Sequence, residues 1–294
     1  MAAMFGALRI DLSDTLGALL IGVFISAILY GATCLQTFYY FQNYTSDKLL
    51  LKLLVTMLLA SETLHAVFSI YSVYYYTITN YSDLDPLIRT NWSISAVYAQ
   101  SSISIFAVHT FYTRRVYYMS QKNVPLTIVI VVLSLVHFGS HVFSTVEGFQ
   151  FLSDDQRWTY VPAYLSVSLF LAAVTDITIV ASLTHYLRKN KSGMQNTDTI
   201  VNYLITHIVG NGILTTVVDI LVLIFAIVNR NMIYLAIYQV VANLYANSVL
   251  ASLNSRRSLT RAGEVTRISF VLPLSGHETS TQNRTEGTRG HEAQ

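Results

Sequence analysis

Charge is what this chain has least of. Only 12% of its 294 residues are charged and 53% are hydrophobic, where an ordinary soluble domain carries about 25% charged residues. That deficit, with a mean hydropathy of +0.47, marks a membrane protein. Cysteine occurs once, at Cys34, which excludes an intramolecular disulfide and a cysteine-based zinc knuckle. A surface receptor braced by a disulfide across its outer loops is therefore excluded as well. The four prolines, Pro86, Pro125, Pro162 and Pro273, all fall at span entrances, in a loop or in the tail, so no proline kink is indicated. No glycine-rich phosphate motif is present, which leaves nucleotide chemistry without support. The first residues, MAAMFGALRIDLSDT, lack a basic-then-apolar leader with a cleavage site. The first span is expected to act as its own uncleaved insertion signal.

What the chain does have is long apolar runs. Thr199–Arg257 holds two of them, separated by Asn229-Arg230-Asn231-Met232 and ended by Arg256-Arg257. Each is about 20 residues or longer, the length a helix needs to cross a bilayer core, and only a structure that satisfies its own backbone can do so in lipid. The pair reads as a helical hairpin through a membrane. Along the whole chain seven such segments occur, at about 16–41, 49–77, 91–113, 124–145, 160–187, 199–228 and 232–254. The fold class is an all-α seven-transmembrane bundle, residues 16–254, with residues 1–15 as a short outer N-terminus and 255–294 as a disordered cytoplasmic tail. Segment three is diluted by Ser93, Ser95, Gln100, Ser101, Ser102 and Ser104. It is expected to be the most protein-enclosed helix, with its polar face turned to its neighbours. Ala18, Gly22 and Ser26 on span one, and Gly210 and Gly212 on span six, mark close helix contacts.

The loops alternate in charge. Fourteen basic residues, from Lys48 to Arg289, fall on the side of the even-facing loops and the tail. Only Arg9, Arg89, Arg157 and Arg230 fall on the other side. The positive-inside rule then puts the N-terminus outside and the tail in the cytoplasm. Asn80-Tyr81-Ser82 is a glycosylation sequon in an outer loop, with Asn80 as the acceptor, while Asn91-Trp92-Ser93 is too close to the membrane. Tyrosines crowded at the span ends, such as Tyr39, Tyr40, Tyr75 and Tyr118, read as interfacial belts. Hydroxyls beside arginines at Ser258 and Ser269 suit phosphorylation that weakens attraction to anionic lipid, or simply a solvated basic tail.

Three carboxylates, Glu62, Asp176 and Asp219, sit at bilayer depth, where a charge costs roughly 2.5–3.5 kcal/mol even on a mild scale. His65, His137, His141 and His207 join them, while His109 and His185 lie nearer the inner ends. Glu62 and His65 share one helix face, as do His137 and His141. Helical rise puts Glu62, His65, His137, Asp176, Asp219 and Asn243 at similar depths. They form either a polar cavity for a ligand, ion or metal, or paired groups that hold helices in register.

Several stretches carry a family resemblance: LGALLIGVFISAILYG (Leu16–Gly31), Gln36 and Tyr39, LKLLV (Leu51–Val55), Glu62 with His65, NGILTT (Asn211–Thr216), and the closing YANSVLASLNSR (Tyr245–Arg256). Together they resemble the seven-span integral membrane proteins of mushroom-forming fungi that end in a domain of unknown function. The resemblance covers about residues 14–257 and implies a fold; it brings no catalytic residues. The first functional reading is a receptor-like, sensory or scaffold protein with an intramembrane polar cavity formed by Glu62, His65, His137, His141, Asp176, Asp219 and Asn243. Span three ends His-Thr-Phe-Tyr-Thr-Arg-Arg and lacks the acidic-Arg-aromatic trio of many G-protein-coupled receptors. Span seven has no lysine for a retinal Schiff base. The alternatives are a membrane-embedded metal hydrolase acting on lipid, with His137 and His141 as the candidate ligands, and a transporter. No cofactor and no nucleic acid is expected. The partners are the bilayer of a plasma membrane or endomembrane, a small hydrophobic ligand, and a cytoplasmic signalling partner at the inner loops and tail.

Overall fold

Each apolar run becomes a helix. The computed structural model describes residues 16–80, 91–150, 161–189, 195–228 and 233–271. Seven α-helices occur there: α1 (Ala18–Asn43), α2 (Leu49–Tyr74), α3 (Trp92–Met119), α4 (Val124–Gln150), α5 (Val161–Lys189), α6 (Gln195–Val228) and α7 (Ile233–Val271). A π-helical turn, Tyr75–Thr79, prolongs α2. Pro125 and Pro162 stand in the first turns of α4 and α5, where a missing N–H costs nothing. Among the described residues, six helices are long and apolar enough to cross a membrane: all but α3. They expose rows of large apolar side chains such as Ile21, Phe24 and Ile28 on α1 and Ile128, Val132 and Leu135 on α4, the outward face a lipid-immersed bundle requires.

Consecutive helices pack side by side, and α7 closes the ring against α1. Helix α3 also reaches α5 and α7, which puts it through the middle. Sixteen of its 28 residues are buried, against seven of 27 in α4. Three of the polar residues that dilute its apolarity are spent on α2. Ser104 meets Ser61 of α2 at 2.8 Å, Gln100 donates to Ser61 at 2.9 Å, and Ser93 meets Ser72 at 2.7 Å. The enclosure expected from sequence is what the packing contains.

Helices α1 and α7 approach with backbone nearly touching. A Cβ on Gly22 would run into the Ala236 carbonyl oxygen and lie 2.8 Å from the Ala236 Cα. Below that contact the side-chain amides of α7 bind α1. Asn243 donates to Ser26 at 2.7 Å, Asn247 to the Leu29 carbonyl at 3.1 Å and Asn254 to the Gln36 carbonyl at 2.8 Å. Small residues admit the neighbour and polar ones hold it, as membrane helix pairs require. Gly212 plays the same part between α6 and α5, where an added Cβ would run into Val180. Gly210 does not: a Cβ there meets nothing within 4 Å, because it points away from the partner helix.

One end of the bundle is knotted by the α1–α2 loop. Arg256 on α7 grips both Asp47 oxygens, at 2.5 and 3.3 Å. Its guanidinium also lies 4.5 Å from the centre of the Tyr44 ring. Tyr40 donates to Asp47 at 2.8 Å. The Arg256 hydrogen bond holds the Asp47 carboxyl below the usual carboxylate range, against the upward pull of burial.

Helix α7 departs from expectation at its far end. A disordered tail was expected from residue 255, yet the helix runs to Val271. No proline interrupts it before Pro273, and Glu264 stands three residues from both Arg261 and Arg267, a spacing that supports a helix. The rest of the tail, 272–294, and the first fifteen residues lie outside the described residues, as do Ser82 and the side chain of His207.

Candidate functional site

The buried polar residues do not gather into one cluster; the ring of helices sorts them into two. The first lies among α1, α2, α3 and α7. Glu62 is fully buried and accepts from Ser104 at 3.3 Å. His65, three residues on, approaches Ser26 of α1 at 3.5 Å, the far edge of hydrogen-bond range. Ser26 in turn accepts from Asn243. Ser69 donates to Gln239 at 2.8 Å one turn further along. Glu62 Oε2, His65 Nε2 and Asn243 Oδ1 have no hydrogen-bond partner among the described residues.

The second cluster spans α3 to α7, and its centre is Tyr245. The Tyr245 hydroxyl lies 2.8 Å from an oxygen of Asp176 on α5 and 2.8 Å from an oxygen of Asp219 on α6. Asp176 is the better supplied of the two. Thr215 donates to it at 2.8 Å, and His109 of α3 meets its other oxygen at 3.1 Å. The second oxygen of Asp219 has no partner among the described residues. From His109 the aromatic rings continue across the bundle. His137 lies 5.4 Å away between ring centres, His141 a further 5.5 Å, and His141 Nε2 pairs with the Tyr238 hydroxyl at 3.2 Å.

These side chains occupy the space themselves. The void against Asp176, Thr215 and Tyr245 is about 20 Å³, room for about one water and not for an organic ligand. Among the described residues, no three His, Cys, Asp or Glu side chains are grouped so as to hold a metal ion. His137 and His141 sit edge to face, and His109, the histidine on the far side of His137, is committed to Asp176. Asn80 ends the π turn with its amide nitrogen donating to the Tyr75 carbonyl at 3.0 Å. Asn91 is buried and caps α3, accepting from the Ser93 N–H at 3.2 Å.

Sequence reasoning missed three members of the second cluster. His109 was placed near an inner end by its distance along the span. Tyr245 sat in the closing motif and Thr215 in NGILTT without a role. The signal that finds Thr215 and Tyr245 is a hydroxyl on α6 or α7 near the buried carboxylates; His109, on α3, carries no such signal.

An apolar helical ring with two buried carboxyl groups joined through one tyrosine fits a multi-pass integral membrane protein. Residues 172–258 match a family described as a family of unknown function (DUF6534); the match covers the second part of α5, all of α6 and α7 as far as Ser258. No curated protein and no solved structure matches the chain. The matched segment contains Asp176, Thr215, Asp219, Asn243 and Tyr245; Glu62, His65, His109, His137 and His141 precede it.

Proposed function

We propose that the protein is a receptor-like sensory membrane protein with seven spans, α3 being the seventh, the N-terminal side outside, and the Asp176–Tyr245–Asp219 bridge as its switch. One observation carries this reading: a single hydroxyl stands at hydrogen-bond distance from two carboxyl groups. A phenol has one proton to give. One carboxyl accepts it, and the other contact is a hydrogen bond only when that carboxyl brings its own proton and donates to the phenol oxygen. The same heavy atoms thus support two proton arrangements joining three helices. His109 and Thr215 favour Asp176 as the acceptor, with Asp219 as the donor. A signal acts by reversing that preference, and it does so only through a difference in its affinity for the two states. Ionisable groups inside a membrane are functional candidates for this reason.

Infrared spectroscopy of the protein in nanodiscs tests the reading. A protonated carboxyl band that Asp219→Asn removes and Asp176→Asn leaves is expected. A band unmoved by Asp219→Asn, or one that Asp176→Asn removes instead, would overturn Asp219 as the donor and reduce the bridge to a structural clamp. Protease accessibility of tags at the two ends, before and after permeabilisation, tests the orientation. The metal-hydrolase reading has less support, since His137 and His141 lack a third ligand among the described residues.

A further inference from the structure

We infer that the groove between α2 and α3, at the Arg256 end of the bundle, is a seat for an anionic phospholipid. The groove has a volume of about 810 Å³, within the usual range of about 300–1,000 Å³ for small-molecule sites. Its two halves differ in chemistry. Leu50, Leu54 and Met57 of α2 face Phe106, Ala107 and Phe111 of α3 along its length. From Phe106 to Arg114 this apolar wall rises roughly 12 Å, enough to hold the upper part of an acyl chain. At its mouth stand four cations: Lys48 at the N-cap of α2, Arg114 and Arg115 on α3, and Arg256 on α7.

Charge complementarity names the occupant. Among the described residues, the one carboxylate bonded to any of the four cations is Asp47, on Arg256. Arg115 donates to the Ser252 hydroxyl at 2.6 Å, which fixes its guanidinium on the α7 side of the groove. Lys48 and Arg114 are exposed. Three positive charges that no carboxylate among the described residues answers therefore stand at the end of an apolar trough. A neutral lipid meets the trough but leaves the charges unanswered. A soluble anion meets the charges but leaves the trough empty. A phospholipid with net negative charge answers both, as basic pockets between membrane helices do.

The test is lipid retention by the full-length protein, measured by mass spectrometry after delipidation and re-addition of phosphatidylserine or phosphatidylcholine with identical acyl chains. Phosphatidylserine should be retained preferentially. Lys48→Gln with Arg114→Gln should lower its retention about twenty-five-fold, about fivefold per cation, and leave phosphatidylcholine unchanged. Arg188→Gln with Lys189→Gln removes two exposed cations from the end of α5 and should have no effect. Ala107→Phe fills the trough, keeps every charge and should lower retention as well. Equal retention of the two lipids, or an equal loss in the Arg188/Lys189 variant, would overturn the proposal in favour of general surface attraction. Undiminished retention in Ala107→Phe would overturn the groove as its seat.

Discussion

Replacing Tyr245 with phenylalanine removes one oxygen from the centre of the bundle and nothing else. The two carboxyl groups do not lose equally. Asp176 keeps Thr215 and His109. Asp219 keeps nothing, since its other oxygen already lacks a partner among the described residues. Interhelical hydrogen bonds in membranes average about 0.6 kcal/mol and reach about 1.7. Two lost contacts therefore amount to about 1–3 kcal/mol, the same range as one stranded buried polar group. The unfolding equilibrium should shift by about 5- to 150-fold. The assay is reversible unfolding from mixed micelles by added SDS, followed by circular dichroism. A second variant, Asp219→Leu, separates stranding from simple loss. In that background Tyr245→Phe should cost clearly less, because no carboxyl is left to strand, giving a coupling of at least about 0.5 kcal/mol. A Tyr245→Phe protein within about 0.5 kcal/mol of wild type, or strictly additive variants, would refute the reading of Tyr245 as the shared partner.

Gly22→Ala should destabilise by about 1–3 kcal/mol in the same unfolding assay, because its Cβ meets Ala236 backbone that cannot swing aside; Gly210→Ala, with open space around it, should be neutral or slightly stabilising. Asn91→Ala should cost about 0.5–2 kcal/mol through loss of the α3 cap, and Asn91→Ser should restore most of it. The Asp47 carboxyl is held low in the folded protein, so its stabilisation is complete above its unfolded value, about 3.9, and fades as pH falls through the lower folded value. The stability gap between wild type and Asp47→Asn should be constant at neutral pH and close below about pH 4.

Apolar runs made the helices legible because in lipid a long run has one stable form. Even α3, too polar to stand out by hydropathy, was legible as an inner helix, since its serines have no use facing lipid. Rotation about each axis was not legible. Glu62 and Asp176, both expected near mid-span, belong to different clusters, because Glu62 turns toward α3 and Asp176 toward α7 and α3. Tyr245 was hidden by its residue type: tyrosines near span ends usually mark an interface, and nothing local distinguishes one that turns inward. The helix beyond Arg256 was hidden by composition, which records how little apolar surface a segment has but not whether a neighbouring helix already supplies its nucleus.

The ring closes between its first and last described helices, and that fixes an order of assembly. During synthesis α1 enters the membrane with the Gly22–Ser26 face uncovered, and its partner Asn243 is more than two hundred residues behind it. Until α7 follows, Ser26 has lipid or transient neighbours where the finished protein has the Asn243 amide. The contacts that complete the bundle are thus among the most distant along the chain, the kind that form late and slowly. A chain stalled before Ile233 presents this polar seam to the bilayer, and a mutation that weakens α7 would leave the same seam open for quality control to recognise.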